Sequence, residues 1–551
     1  MKSFVEMFFQ SNLKAVDENY LKSRTLRSSW TSTLHLIFFG VGIVITGEFA
    51  AWNAGLSYGW SSLVVATIMV NIYYWCLLLC LAELSSALPF SGGSLTFITA
   101  TMGNIFGYIL GLVVLMQNVL AYSQSSILVS NFYIRLIHLS LEQTVYWKYI
   151  LNFLVIFISS IIAIDLKVFH RVITILTVIA VLEIVFIFCA MIPVFSKGDF
   201  LFNTGLLNTD SFLPDGVMGV LNCMPFAIWF FVGIESLPNL AEEAKDPATS
   251  LPKAMLGGYA ILTLSVLLVL MMVGCNPGSS TLQSSIDPLS DIIFSNYDII
   301  PRSLIGILIQ FFFSFAHHAS TVGFTIGTIR IMYALSRGGY FPTFLSITHQ
   351  GGDVDSYGYG SPLYAIIASG AGAYCMIILS FLLGETILGS FLLYGCAFYS
   401  LVAAIFVFIS YTLLKVRSPH LERHFNLSDD WKSILVPILG LILGGIAISG
   451  FFTSNPNNTI VFYILIAQFV ISFIYYIFVV RHRLVLSAEQ KFIKLRIAKL
   501  REETLKKHHD EQVKVRLDSK SRNADQSAVG KPAKSMLDSY QQRSKRASVL
   551  Q

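Results

Sequence analysis

Charge is scarce in this chain of 551 residues: Asp, Glu, Lys and Arg together make up only 13%, against 55% hydrophobic residues. Soluble domains average about 25% charged residues, so a water-soluble globular fold is excluded. Cysteine is sparse and unpatterned. All seven (Cys76, Cys80, Cys189, Cys223, Cys275, Cys375 and Cys396) lie in or beside apolar runs, without disulfide or metal-site spacing, and read as small core hydrophobes. No glycine-rich phosphate loop, nucleophile–base arrangement or metal-ligand pattern occurs, so no enzyme, metal or cofactor is expected. The net charge of +5 reflects a basic tail beyond Val480, which argues for a lipid bilayer surface and against a nucleic-acid partner. The N-terminus mixes acids and bases with no apolar core, so no cleaved signal peptide is expected.

Long apolar runs are abundant. They lie near 33–56, 60–88, 104–138, 149–164, 171–194, 215–240, 252–273, 301–335, 361–383, 386–414, 435–452 and 459–480, and predict twelve spans of an all-α integral membrane protein. Each span must be a helix, because lipid offers backbone groups no partner. An even count puts both termini on one face. Lys2, Lys14, Lys22, Arg24 and Arg27 precede span 1, and Lys415, Arg417, Arg423 and Lys432 follow span 10, whereas the opposite loops hold only Arg135, Lys148, Lys197 and Arg302. That asymmetry predicts cytoplasmic termini, with the plasma membrane as the expected location. Asn457-Asn458-Thr459 would then be an outward glycosylation triplet, and Asn426-Leu427-Ser428 an inward one left unmodified.

Spans 1 and 6 each carry an acid within a glycine-containing interruption: Thr46-Gly47-Glu48 in one, Gly233-Ile234-Glu235-Ser236 in the other. An odd offset of five spans inverts the second copy, as in a five-plus-five inverted repeat whose broken helices meet near mid-membrane. The organisation expected is an N-terminal segment (1–32), a first repeat (33–194), a second repeat (215–414), two further spans (435–480) and a basic tail (481–551). In the tail, Ser487 and Gln490 form a capping-box pattern ahead of Phe492, Ile493, Ile497 and Leu500, which predicts a basic amphipathic helix at the membrane. Residues 510–551 are polar and predict disorder, with Ser548 in a basic phosphorylation-type context.

An acid in mid-membrane costs about 2.5–3.5 kcal/mol on insertion scales, so Glu48 is expected to face a cavity or a partner. In span 6, Trp229 precedes Glu235 by six residues. An indole face with two nearby acids describes a site for a cation. Intramembrane polar groups that would relay protons are Glu183 in span 5 and His317 and His318 in span 8. Tyr122 in span 3 is a further candidate for the cavity wall.

Four stretches in order, ITGEFAAWNAGL, AELSSALPFSGGSLTFITATMG (82–103), PFAIWFFVGIES with AEEAKDPATSLPKA, and RIMYALSRGGYFP with SPLYAII, resemble the amino acid-polyamine-organocation superfamily of transporters. The resemblance is greatest to its ethanolamine permease-type members and covers spans 1 to 10. It implies a LeuT-like fold and alternating access. It also implies that Ile45, Thr46 and Gly47 hold the place of a Gly-Ser-Gly-like break that binds a substrate carboxylate. Here the first glycine is replaced and Glu48 adds negative charge, which disfavours a carboxylate and favours an amine lacking one. The same resemblance gives Trp229 the role of covering substrate, Val232 and Gly233 that of offering carbonyls to an ammonium, and Glu235 that of proton sensing and gating. In span 5 the lysine that replaces sodium in proton-coupled relatives is Ala180 here, while Ser320 and Thr321 approach a family sodium position. The expected function is a secondary active transporter of a small amine or amino acid, coupled to protons. An amino acid permease for cationic or neutral amino acids and a non-transporting nutrient receptor are the alternatives.

Overall fold

A computed structural model describes residues 31–137, 141–195, 200–201, 204–205, 212–275, 279–348, 360–382, 388–417, 421–428, 431–454 and 459–486, with Lys14, Tyr20, Ser23, Arg24, Leu26 and Lys491. Asn457 and Asn458, the amphipathic segment after Ser487 and the remaining tail with Ser548 lie outside the described residues.

The described residues form a helical protein. Among them, nine helices are long and apolar enough to cross a membrane: Trp60–Ala87 (span 2), Asn104–Ile137 (span 3), Leu166–Met191 (span 5), Pro247–Gly274 (span 7), Leu304–Arg337 (span 8), Leu363–Leu382 (span 9), Leu388–Arg417 (span 10), Leu435–Ser454 (span 11) and Thr459–Phe478 (span 12). Three further apolar segments complete the set. Span 4 is Leu141–Ile162, span 1 is split into Thr33–Val44 and Thr46–Phe49, and span 6 is split into Gly216–Ile228 and a 3-10 stretch Ile234–Glu243. Span 4 begins eight residues before the apolar run at 149, because its first two turns contain Glu142, Gln143 and Lys148 and carry little hydropathy.

Local chemistry sets many of the ends. Ser32, Asp165 and Ser303 cap spans 1, 5 and 8, each side-chain oxygen accepting a backbone N–H of the first turn. Span 2 stops at Ala87, ahead of Leu88-Pro89, where a residue preceding proline leaves the helical region. Ser91–Gly93 then make a turn, and a short helix, Ser94–Met102, re-enters against span 10.

Span 3 lies along spans 8 and 10, and span 7 along spans 1 and 2. Large side chains turned outward, such as Phe186, Ile471 and Phe478, are more than 60% exposed and face lipid in place of water. Spans 1–5 and 6–10 are the two inverted halves, each opening on an interrupted helix.

Candidate substrate site

Span 1 is interrupted by a hydroxyl. In an unbroken helix the N–H of Thr46 would donate to the carbonyl of Gly42. Here Ser320 Oγ of span 8 stands between them, accepting from Thr46 N–H at 3.0 Å and donating to Gly42 O at 3.0 Å. Thr46 Oγ1 donates in turn to Ala316 O at 3.2 Å, and His317 Nδ1 lies 3.4 Å from the same hydroxyl. Thr46–Phe49 continues for one turn before Ala50 becomes extended and Ala51 takes a φ of 80°.

The break in span 6 is wider. Ile228 ends the first half, Val232 N–H still donates to Ile228 O at 3.0 Å, and Gly233 adopts φ 119°, which a side chain would strain. The two interruptions touch. A Cβ at Gly47 would lie 2.8 Å from the carbonyl carbon of Trp229 and closer still to its oxygen, so only glycine lets span 1 approach span 6 this closely. Trp52 stacks on Phe230 at 5.8 Å and 18°, and its indole N–H donates to Glu48 O at 3.0 Å.

Two polar groups at this crossing have no partner among the described residues. Glu48 is 0% exposed and neither carboxylate oxygen accepts a hydrogen bond; Trp229, 2% exposed, has an unmatched indole N–H. A buried polar group left unmatched costs about 1–3 kcal/mol, and an uncompensated charge more. Ile45 is fully buried beside them, its carbonyl accepting Glu48 N–H at 3.2 Å.

Glu235 has a different setting. It lines a small cavity with Leu77, Val114 and Asn239, and accepts hydrogen bonds from Gln117 Nε2 and Ser400 Oγ, both at 2.6 Å, and from Gly233 N–H at 2.9 Å. Its partners come from spans 3 and 10 and from the break itself. The carboxylate thus ties the second half of span 6 to two neighbouring helices. Gly233 O already accepts Ser236 N–H at 2.9 Å, so of the two carbonyls expected to face an ammonium this one is partly committed.

The other expected residues scatter. Tyr122 does not line the crossing: its hydroxyl bonds to Ser159 Oγ at 2.6 Å and Ile156 O at 3.2 Å, against span 4. Glu183 is 8% exposed with both oxygens unmatched, so it is bonded to neither histidine. His318 instead pairs with the Tyr133 hydroxyl at 2.8 Å. The proton relay expected from these three is therefore not a connected chain. Trp52, Asn53 and Ser400 are absent from the sequence-based set; the first two directly follow the Glu48 motif, while Ser400 gives no signal inside an apolar span.

Polar contacts join the helices on both faces of the protein. On the face bearing the termini, Arg330 pairs with Glu243, and Arg337 Nη1 reaches Glu242 Oε2 at 2.9 Å, locking span 8 to the end of span 6. On the opposite face, Asn53 Nδ2 contacts Leu282 O, Gln283 O and Ser285 O at 2.7, 3.2 and 2.9 Å, and Arg135 meets Asp291 at 2.6 Å. Asp291 belongs to a short helix, Pro288–Asn296, that begins at the buried Asp287.

Two broken helices that touch among apolar spans define a membrane protein of the LeuT-like fold. The fold is shared with MhsT: its crystal structure in complex with L-phenylalanine matches with a TM-score of 0.56 at 13% identity, covering 78% of this chain and 100% of that one. Residues 29–480 match the amino acid permease family model, and the chain belongs to that family. It is 25% identical to the branched-chain amino acid permease BcaP of Bacillus subtilis, over 57% of this chain and 68% of that one. It is 27% identical to the chloroplastic cationic amino acid transporter 7 of Arabidopsis thaliana, over 46% and 44%.

Proposed function

We propose that this permease is a secondary active transporter that carries a small organic amine of the ethanolamine type by alternating access. The observation that carries the reading is that each of the two breaks that meet bears an unmatched buried group, the Glu48 carboxylate on one and the Trp229 indole N–H on the other. A solute with one ammonium and one neutral oxygen satisfies both. The ammonium neutralises Glu48, and a hydroxyl oxygen accepts from Trp229. A free carboxylate on the solute would meet the negative charge of Glu48 in a site of low dielectric.

A second reading, an amino acid as substrate, is favoured by the names of the relatives, one of which transports cationic amino acids. Uptake of labelled ethanolamine into proteoliposomes, competed by alanine, arginine and putrescine, separates the two. Competition by amino acids alone, with no ethanolamine uptake, would sink the amine reading. Flux of any solute also separates transport from a receptor role.

Proton coupling is the proposed energy source. The span 1 and span 8 carbonyls of Gly42 and Ala316 already accept hydroxyls from Ser320 and Thr46, which supports a proton over a sodium ion at this place. An imposed pH gradient should drive uptake, and a sodium gradient should not. Lys415, Arg417 and Arg423 on the face of the termini support a cytoplasmic orientation of that face.

A further inference from the structure

A second cavity lies far from the crossing, where the ends of spans 8 and 12 come together on the face that bears both termini. It measures about 780 Å³ and is walled by Phe341, Phe344, Leu345, Tyr475 and Val479, with Lys14 and Arg483 among its lining residues. The wall is firmly built. Tyr340 stacks on Tyr108 at 5.7 Å and donates to Asn104 at 3.2 Å, and Val485 N–H donates to Gly338 O at 3.3 Å.

Lys14 is held at the cavity by its backbone. Its N–H donates to Leu484 O at 3.0 Å, and its carbonyl accepts Leu486 N–H at 3.0 Å, a parallel bridge that joins the N-terminal segment to the chain leaving span 12. Among the described residues, neither Lys14 nor Arg483 has an acidic partner and no acid lines the cavity. Phe344 and Tyr475 are 51% and 45% exposed, so the apolar wall opens outward at the end of a membrane span. Two cations without an acid above an apolar cleft at this depth match one chemistry: a phosphate headgroup with hydrocarbon attached.

We propose that this cavity is a binding site for an anionic phospholipid, its phosphate held by Lys14 and Arg483 and its acyl chain lying along Phe344, Tyr475 and Val479. Nothing in the crossing of spans 1 and 6 takes part. The site is independent of which solute is carried.

The test uses the full chain, purified and reconstituted in nanodiscs of phosphatidylcholine containing a minor fraction of phosphatidylglycerol, with retained lipid counted by native mass spectrometry. The parent should retain phosphatidylglycerol about 30-fold over its share of the bilayer, the scale set by two basic residues near a lipid surface. Lys14→Glu with Arg483→Glu should abolish that enrichment while leaving the thermal midpoint in pure phosphatidylcholine unchanged. Thr343→Trp, which fills the cleft without touching either charge, should abolish it as well and serves if the double variant does not fold. Glycerol phosphate, a soluble headgroup, should not compete at equal concentration. Equal enrichment in Thr343→Trp, no enrichment in the parent, or full competition by glycerol phosphate would each overturn the proposal, the last by showing a soluble-anion site instead.

Discussion

Replacing Glu48 should move stability and transport in opposite directions. The side chain is 0% exposed and both oxygens lack a partner, so in the substrate-free protein it contributes a desolvation penalty with no compensating bond. Glu48→Met keeps the length and removes both unmatched oxygens, which should stabilise the protein by about 1–3 kcal/mol. The same change deletes the counter-charge for an ammonium. Loss of one charge-assisted interaction is worth at least about 1.4 kcal/mol, or tenfold in affinity. The assay pairs a thermal melt in detergent, without and with ethanolamine, with initial uptake rates in proteoliposomes. The expected result is a higher midpoint without solute, no further rise when ethanolamine is added, and uptake down at least tenfold at sub-saturating solute. A lower midpoint together with unchanged uptake would refute the reasoning, since it would mean that Glu48 is matched in the free protein and idle during transport.

Three further outcomes follow from other parts of the molecule. Ser320→Ala removes the hydroxyl between Gly42 and Thr46, so span 1 should close into a regular turn; stability should change by no more than about 1.5 kcal/mol, yet uptake should fall strongly and Ser320→Thr should restore it. Arg330→Met strands the fully buried Glu243 and should cost about 3–5 kcal/mol, most of it recovered in Arg330→Met with Glu243→Met; a double-mutant cycle measures this, and additive losses would contradict it. Burial pushes Asp287 up to about 6 from an ordinary 3.8, against the pull of Ser290 and Arg135. The folded form therefore binds this proton more tightly than the unfolded form, so the helix Pro288–Asn296 should lose stability as pH rises from about 4 through about 6. Hydrogen exchange in that helix, corrected for intrinsic rate, should show the trend in the parent and a flat profile in Asp287→Asn.

The spans were legible because hydropathy is a sum over many residues, and an error at one position barely moves it. The break in span 6 was legible for a local reason: a glycine, Gly233, two residues before an acid inside an apolar run is the pattern of a helix that stops within the membrane. The mechanism of the break in span 1 was not, since the hydroxyl that opens it comes from Ser320, 274 residues away, and no local pattern announces such a partner. The surroundings of Tyr122 were illegible for a different reason. Span 3 is packed by helices on most of its faces, so its sequence does not say which neighbour a polar residue meets, and this hydroxyl bonds to span 4. The same ambiguity separates Glu183 from His317 and His318, whose polarity alone suggests them as its partners.

Asn53 presents one amide nitrogen to three carbonyl oxygens, yet that nitrogen carries two hydrogens. Two hydrogens serve three acceptors, so one of the three contacts is shared or left over, and the amide can exchange one acceptor for another while keeping its hydrogens on the nitrogen. It sits five residues beyond Glu48, so this three-way fastening and the unmatched acid share one short run of backbone.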